Sequence, residues 1–157
     1  LIGSILAVMM CVSQIAQIDI NLQDVDAQQL KEKGITVRGD CPHVKVAYIT
    51  GPLFFAAIGF FNEAFSKVKD TKTLILSMRG VPLIDTAGVE AIEKLHLKIY
   101  AQGGELMFAG THDNAYRMLE RAGLVEKIGR QNFFWSSDQA IVESEKRACP
   151  VCQVKLS

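Results

Sequence analysis

Residues 73–104 read TLILSMRGVPLIDTAGVEAIEKLHLKIYAQGG, and this stretch decides the fold. It opens on Leu74-Ile75-Leu76, extended by Ser77 and Met78. An apolar run this short suits a strand buried on both faces of a parallel sheet. Arg79-Gly80-Val81-Pro82 breaks the run, and Ile84-Asp85-Thr86-Ala87-Gly88 follows. Val89, Ile92, His96 and Ile99 then recur at helical spacing, with Leu95 beside them, until Gly103-Gly104 ends the pattern. Asp85 or Thr86 is a natural N-cap, because a short oxygen-bearing side chain can accept from the free N–H groups of a first turn. The stretch reads as strand, tight loop and capped helix. In an open α/β sheet that junction is where ligands and partners engage.

Upstream, Val44-Lys45-Val46-Ala47-Tyr48-Ile49 alternates as a strand, and Ile35-Thr36-Val37 is an expected edge strand. Asp40-Cys41-Pro42-His43 between them is turn chemistry, so the two are expected to form an antiparallel hairpin. Thr50-Gly51-Pro52 ends the second strand. From Phe54 the period changes, and Ile58, Phe61, Phe65 and Val68 mark one face of a helix. Downstream, Leu106-Met107-Phe108-Ala109 is the next strand. Thr111, His112 or Asp113 caps a helix with Ala115, Met118, Leu119 and Ala122 inside and Gly123 at its end. Phe133-Phe134-Trp135 is a short last strand, and Ser136 or Ser137 caps a closing helix from Asp138 to about Arg147. Strands alternating with helices predict an α/β fold: a four- to five-stranded mixed sheet, its first hairpin antiparallel and its later strands parallel, flanked by about four helices.

The 157 residues fit one domain with tails, and the half that are apolar suffice for a core. Seventeen basic and seventeen acidic side chains cancel. Nucleic acid is therefore not the expected partner, since phosphate binding draws on a surplus of Lys and Arg. Leu1 to Val12 is almost wholly apolar, has no basic stretch before it and is shorter than the roughly 20 residues of a bilayer span. A core helix, an interfacial helix and the cut end of a membrane span all fit it. Residues 13–33 turn polar and read as a solvated linker. The expected division is 1–33 for the apolar end and linker, 34–148 for the domain and 149–157 for a tail.

Two junctions carry the candidate chemistry. Backbone N–H groups and the helix dipole before Asp85-Thr86-Ala87-Gly88 attract anions, and a hydroxyl there is open to phosphorylation. Gly51-Pro52-Leu53-Phe54-Phe55 opens a helix in the same way. If the two strands are neighbours, both helix N-termini lie on one sheet edge, walled by Phe54 and Phe55. Cys149-Pro150-Val151-Cys152 has half the spacing of a zinc knuckle, and Cys41 with His43 would have to complete it, so two reduced thiols are the simpler reading. His96, on an apolar helix face, reads as a core histidine with its bonds satisfied. Hydrolase, zincin, P-loop and dinucleotide motifs are missing from the sequence, and neither catalytic residues nor a metal or cofactor is expected.

The segment SMRGVPLIDTAGVEAIEKL resembles the signature of STAS domains, found in anti-sigma-factor antagonists and at the cytoplasmic ends of SulP-type (sulfate permease) anion transporters. Ile49-Thr50-Gly51-Pro52-Leu53-Phe54-Phe55-Ala56-Ala57 resembles the strand-to-helix passage of the bacterial transporter branch, and Leu1–Val12 stands where the last transmembrane helix would end. The likeness covers about Gly34 to Lys146. It implies a STAS-like fold and a non-enzymatic regulatory or interaction domain on the cytoplasmic side of the inner membrane. The implied partners are the transmembrane domain of the same transporter, a cytoplasmic protein such as acyl carrier protein, and an anion or nucleotide. The antagonists' motif resembles Asp-Ser-Ser-Gly and accepts phosphate on a serine. Here Ala87 stands beside the glycine, which leaves Thr86 as the candidate phosphoacceptor and the free-standing antagonist as the alternative. A bulky residue at Gly88 is expected to disturb function and spare the fold.

Overall fold

The computed structural model describes residues 2–7, 18–25, 27–34 and 43–153. Five strands run β1 (Asp19–Asp24), β2 (Val44–Thr50), β3 (Thr73–Gly80), β4 (Glu105–Ala109) and β5 (Phe133–Phe134), in that spatial order. β1 is antiparallel to β2, and every later pair is parallel. Six helices accompany them: α1 (Ala27–Glu32), α2 (Ile58–Ser66), α3 (Thr86–Ala101), α4 (Asp113–Arg121), α5 (Leu124–Ile128) and α6 (Ser137–Gln153). Residues 2–7 are also helical. The mixed sheet is the one expected; α1 and α5 exceed the four helices foreseen.

Side chains alternate across the sheet with a period of two. Ile49, Leu74, Leu76, Met78, Leu106 and Phe108 face the larger core, which α2, α3, α4 and α5 close. Val44, Val46, Ile75, Met107 and Ala109 face a smaller core, closed by Leu30 of α1 and by Ala140 and Ile141 of α6. The central strands are covered on both faces, which is why they read as unbroken apolar runs. Arg147 ties α6 to the sheet: its Nη1 bonds Glu105 Oε2 (3.1 Å) and Asn132 Oδ1 (2.7 Å).

Three expectations change. The antiparallel partner of β2 is Asp19–Asp24, not Ile35–Val37, which lies outside the described residues. Part of the stretch read as a solvated linker is thus an edge strand followed by a helix. Ile18, Ile20 and Leu22 pack against the larger core while Asp19, Asn21 and Gln23 face out, so the strand needs only every second residue to be apolar. The closing helix runs to Gln153, so its backbone takes in Cys149 and Cys152, where a tail was expected.

The third change concerns His96, whose Nδ1 is buried without a hydrogen-bond partner. Burial holds its pKa below the ordinary 6.5, Lys127 lowers it further, and Glu93 opposes them. A depressed folded value means that the unfolded chain binds the proton more readily. The His96 contribution to stability is then full above the ordinary value and is lost as pH falls through the lowered one. Urea unfolding at pH 7.5 and 5.5 should show a loss at the lower pH that His96→Gln makes smaller. An identical loss in both proteins would assign it to other groups.

Candidate functional site

The two predicted junctions meet. β2 and β3 are neighbours, and past their ends Leu53 pairs with Ile84 in a parallel bridge. Gly51 N–H donates to the Gly80 carbonyl (2.8 Å), Leu53 N–H to the Leu83 carbonyl (3.0 Å) and Asp85 N–H to the Leu53 carbonyl (3.3 Å). The residues after each strand therefore run on as a shared ladder until both helices begin. Gly51 has a positive φ of 109°, a turn that a side chain would strain.

Asp85 joins them chemically. Its backbone is extended (φ −104°, ψ −177°), as an N-cap requires. One carboxylate oxygen, Oδ1, accepts from Gly88 N–H (2.9 Å) in the first turn of α3. The other, Oδ2, accepts from Phe55 N–H (3.0 Å) at the opening of the 3-10 turn Phe55–Ala57 that leads into α2. A single carboxylate thus caps both elements. The sequence indicates the first bond; the second depends on a partner thirty residues away. The same bonds bear on anion binding, because two of the N–H groups expected to attract an external anion already serve Asp85.

Thr86 and Phe55 are exposed at the surface of this junction, and Ala87, Phe54, Gly51 and Pro52 are partly exposed. Leu53 is buried, a core residue and not a wall of a site. Gly88 is buried too, and a Cβ there would collide with the Leu53 carbonyl and come within 2.7 Å of Ile84 Cγ1. A bulky residue at Gly88 therefore disturbs the fold itself, contrary to the expectation from sequence. The junction also exposes large apolar side chains: Phe55 is 81% exposed, Phe60 61% and Leu83 45%. Among the described residues no group of three or more His, Cys, Asp or Glu could hold a metal ion, and Cys41 lies outside them.

Sequence reasoning missed a second polar surface, on the other face of the sheet. The residues at the carboxyl ends of β2 and β3 that point away from the larger core are Tyr48 and Thr50, Ser77 and Arg79, and they line a cleft of about 350 Å³. β3 extends through Arg79 and Gly80, the first two residues of the expected break. Polar side chains at alternate positions of both strand ends were the available signal.

A family profile described as STAS domain matches residues 35–140. YvdB of Bacillus subtilis (strain 168), whose name places it among sulfate transporters, is 32% identical over 107 residues, 67% of this chain. The chain spans 20% of that relative's length. A crystal structure of a sulfate transporter family protein from Wolinella succinogenes superposes with a TM-score of 0.61 at 29% identity, covering 67% of this chain and 87% of the other. The murine anion transporter Slc26a9 shares the fold (TM-score 0.72, 20% identity) over 92% of this chain and 25% of its own. Solved anti-sigma-factor antagonists share it at 14 to 17% identity. Among the described residues no helix is long and apolar enough to cross a membrane.

Proposed function

The chain belongs to the STAS-domain family, and from that membership we propose that it is the cytoplasmic regulatory and interaction domain of a SulP-family anion transporter at the inner membrane. The transported anion would be of the sulfate, bicarbonate or dicarboxylate type. The observation that carries the reading is the proportion of the match to YvdB: two thirds of this chain against one fifth of the relative. One module of a longer transporter would leave such a match.

Its action is by contact and involves no covalent step. The transmembrane domain of the same protein is the first partner, and a cytoplasmic protein such as acyl carrier protein is a second. The joined junction suits that role: Phe55, Leu83 and Phe60 expose apolar area around a backbone bridged by the Asp85 carboxylate. Exposed apolar area of this kind is a common mark of an interaction surface. Anion or nucleotide binding at the two helix N-termini stays within the proposal, limited to the N–H groups that Asp85 leaves free.

Two experiments test it. An antibody to this domain, used on fractionated source cells, should find a membrane band several times larger than the 17.3 kDa of this chain. A soluble band of this size would favour the second reading, an antagonist phosphorylated at Thr86, which the exposure of that residue supports. Within the transporter, Thr86→Asp adds a charge at the exposed start of α3. It should lower transport or partner capture while leaving the domain's melting temperature and the membrane level of the protein unchanged. Wild-type transport and capture would remove the junction from the contact surface.

A further inference from the structure

We propose that the cleft on the α6 side of the sheet binds a tetrahedral oxyanion, phosphate or sulfate, either free or carried as an ester. This site lies across the sheet from the Asp85 junction and does not depend on the transporter reading.

The cleft opens at the carboxyl ends of β2, β3 and β4, over the smaller core. Ligand crevices of parallel α/β sheets lie at this end. Its principal cation is Arg79. The guanidinium forms no ion pair or side-chain hydrogen bond among the described residues, whereas Arg130 and Arg147 each hold two carboxylates. Its backbone and the base of its side chain are held in place. His112 Nε2–H donates to its carbonyl (2.7 Å), and a Cβ on Gly110 would come within 3.2 Å of its Cβ, so the turn after β4 fits closely around its stem. Gly110 has the positive φ (64°) that this close approach requires. An exposed guanidinium with its donors free, on a stem held this way, is matched in geometry to two oxygens of a phosphate or sulfate.

The surrounding groups complete that chemistry. Thr50 and Ser77 bring hydroxyls to the cleft from adjacent strands, and neither bonds a neighbour among the described residues. Hydroxyls donate to anionic oxygens. Opposing them is Asp138, but its Oδ2 lies 3.4 Å from Lys33 Nζ, so the nearby carboxylate is paired. An arriving anion would compete with Asp138 for Lys33. At about 350 Å³ the cleft is larger than a bare oxyanion needs, which leaves room for the organic part of an ester.

The test is titration of the 157-residue chain with inorganic phosphate, sulfate and phenyl phosphate, followed by backbone amide shifts and by calorimetry. Saturable shifts at Ser77, Arg79, Gly110 and Ser137 are expected. Arg79→Gln should weaken binding about tenfold, as loss of a charge-assisted pair implies, and Asp138→Asn should strengthen it. A thermal melt checks that both variants stay folded. Tighter binding of phenyl phosphate than of the inorganic ions would identify a carried phosphoryl group, and the reverse a free oxyanion; either supports the site. The proposal is overturned if no saturation occurs by about 10 mM, if chloride competes as well as sulfate, or if the shifts fall on residues 51–55 and 85–88 instead.

Discussion

Gly88→Val is expected to cost about 3 kcal/mol or more of folding stability, the upper range for overpacking a closed site, because the wall it meets is backbone. The Leu53 carbonyl that blocks a Cβ is held by Asp85 N–H, and Ile84 Cγ1 closes the other side. The carbonyl is backbone and cannot rotate away as the tip of a long side chain could, and Ile84 is a β-branched side chain, stiff at χ1. To admit the valine, α3 must shift along its axis, which pulls Gly88 N–H from the Asp85 carboxylate. For a chain of this size the loss corresponds to a melting temperature lower by about 10 °C. Gly88→Ala should fall between the two. A valine variant melting within about 2 °C of the parent would mean that the start of α3 slides freely, and the bridged junction described above would be wrong.

Asp85→Ala should cost about 2 kcal/mol, the sum of a lost helix cap and one further charge-assisted bond, reduced because water can reach Phe55 N–H. The informative comparison is Asp85→Asn. Asparagine is about as good an N-cap as aspartate, so its amide oxygen can keep the bond from Gly88. Its amide nitrogen is a donor and cannot accept from Phe55. About half of the alanine effect should therefore remain in the asparagine variant. Equal stability of asparagine variant and parent, by urea unfolding, would show that the link to Phe55 contributes nothing. In that case the two junctions are neighbours without being joined.

Much of this arrangement was readable in the chain. The apolar runs at 74–78 and 106–109 placed two central strands, and the period of Ile58, Phe61 and Phe65 placed α2. From the supposition that β2 and β3 are adjacent, the meeting of the junctions followed. β1 was missed for a reason internal to its sequence. Ile18, Ile20 and Leu22 alternate as a half-buried strand should, but the polar residues between and after them make the window look solvated. Composition outweighed period. Gly88 and the second oxygen of Asp85 are a different kind of miss. Their roles are set by Leu53 and Phe55, on another element, and no local pattern reports a distance between elements.

The antiparallel edge also fixes where the chain enters the sheet. Asp19 stands opposite Thr50, so β1 begins at the end of the sheet where Gly51, Asp85 and Arg79 lie. A tug from the preceding residues, directed along the strand, would load the six paired positions of β1 and β2 together. Their hydrogen bonds lie across the strand direction, which makes this a shearing load and not an unzipping one. β1 is thus placed to act as a tendon, carrying displacement from the upstream segment to the edge of the sheet beside both surfaces.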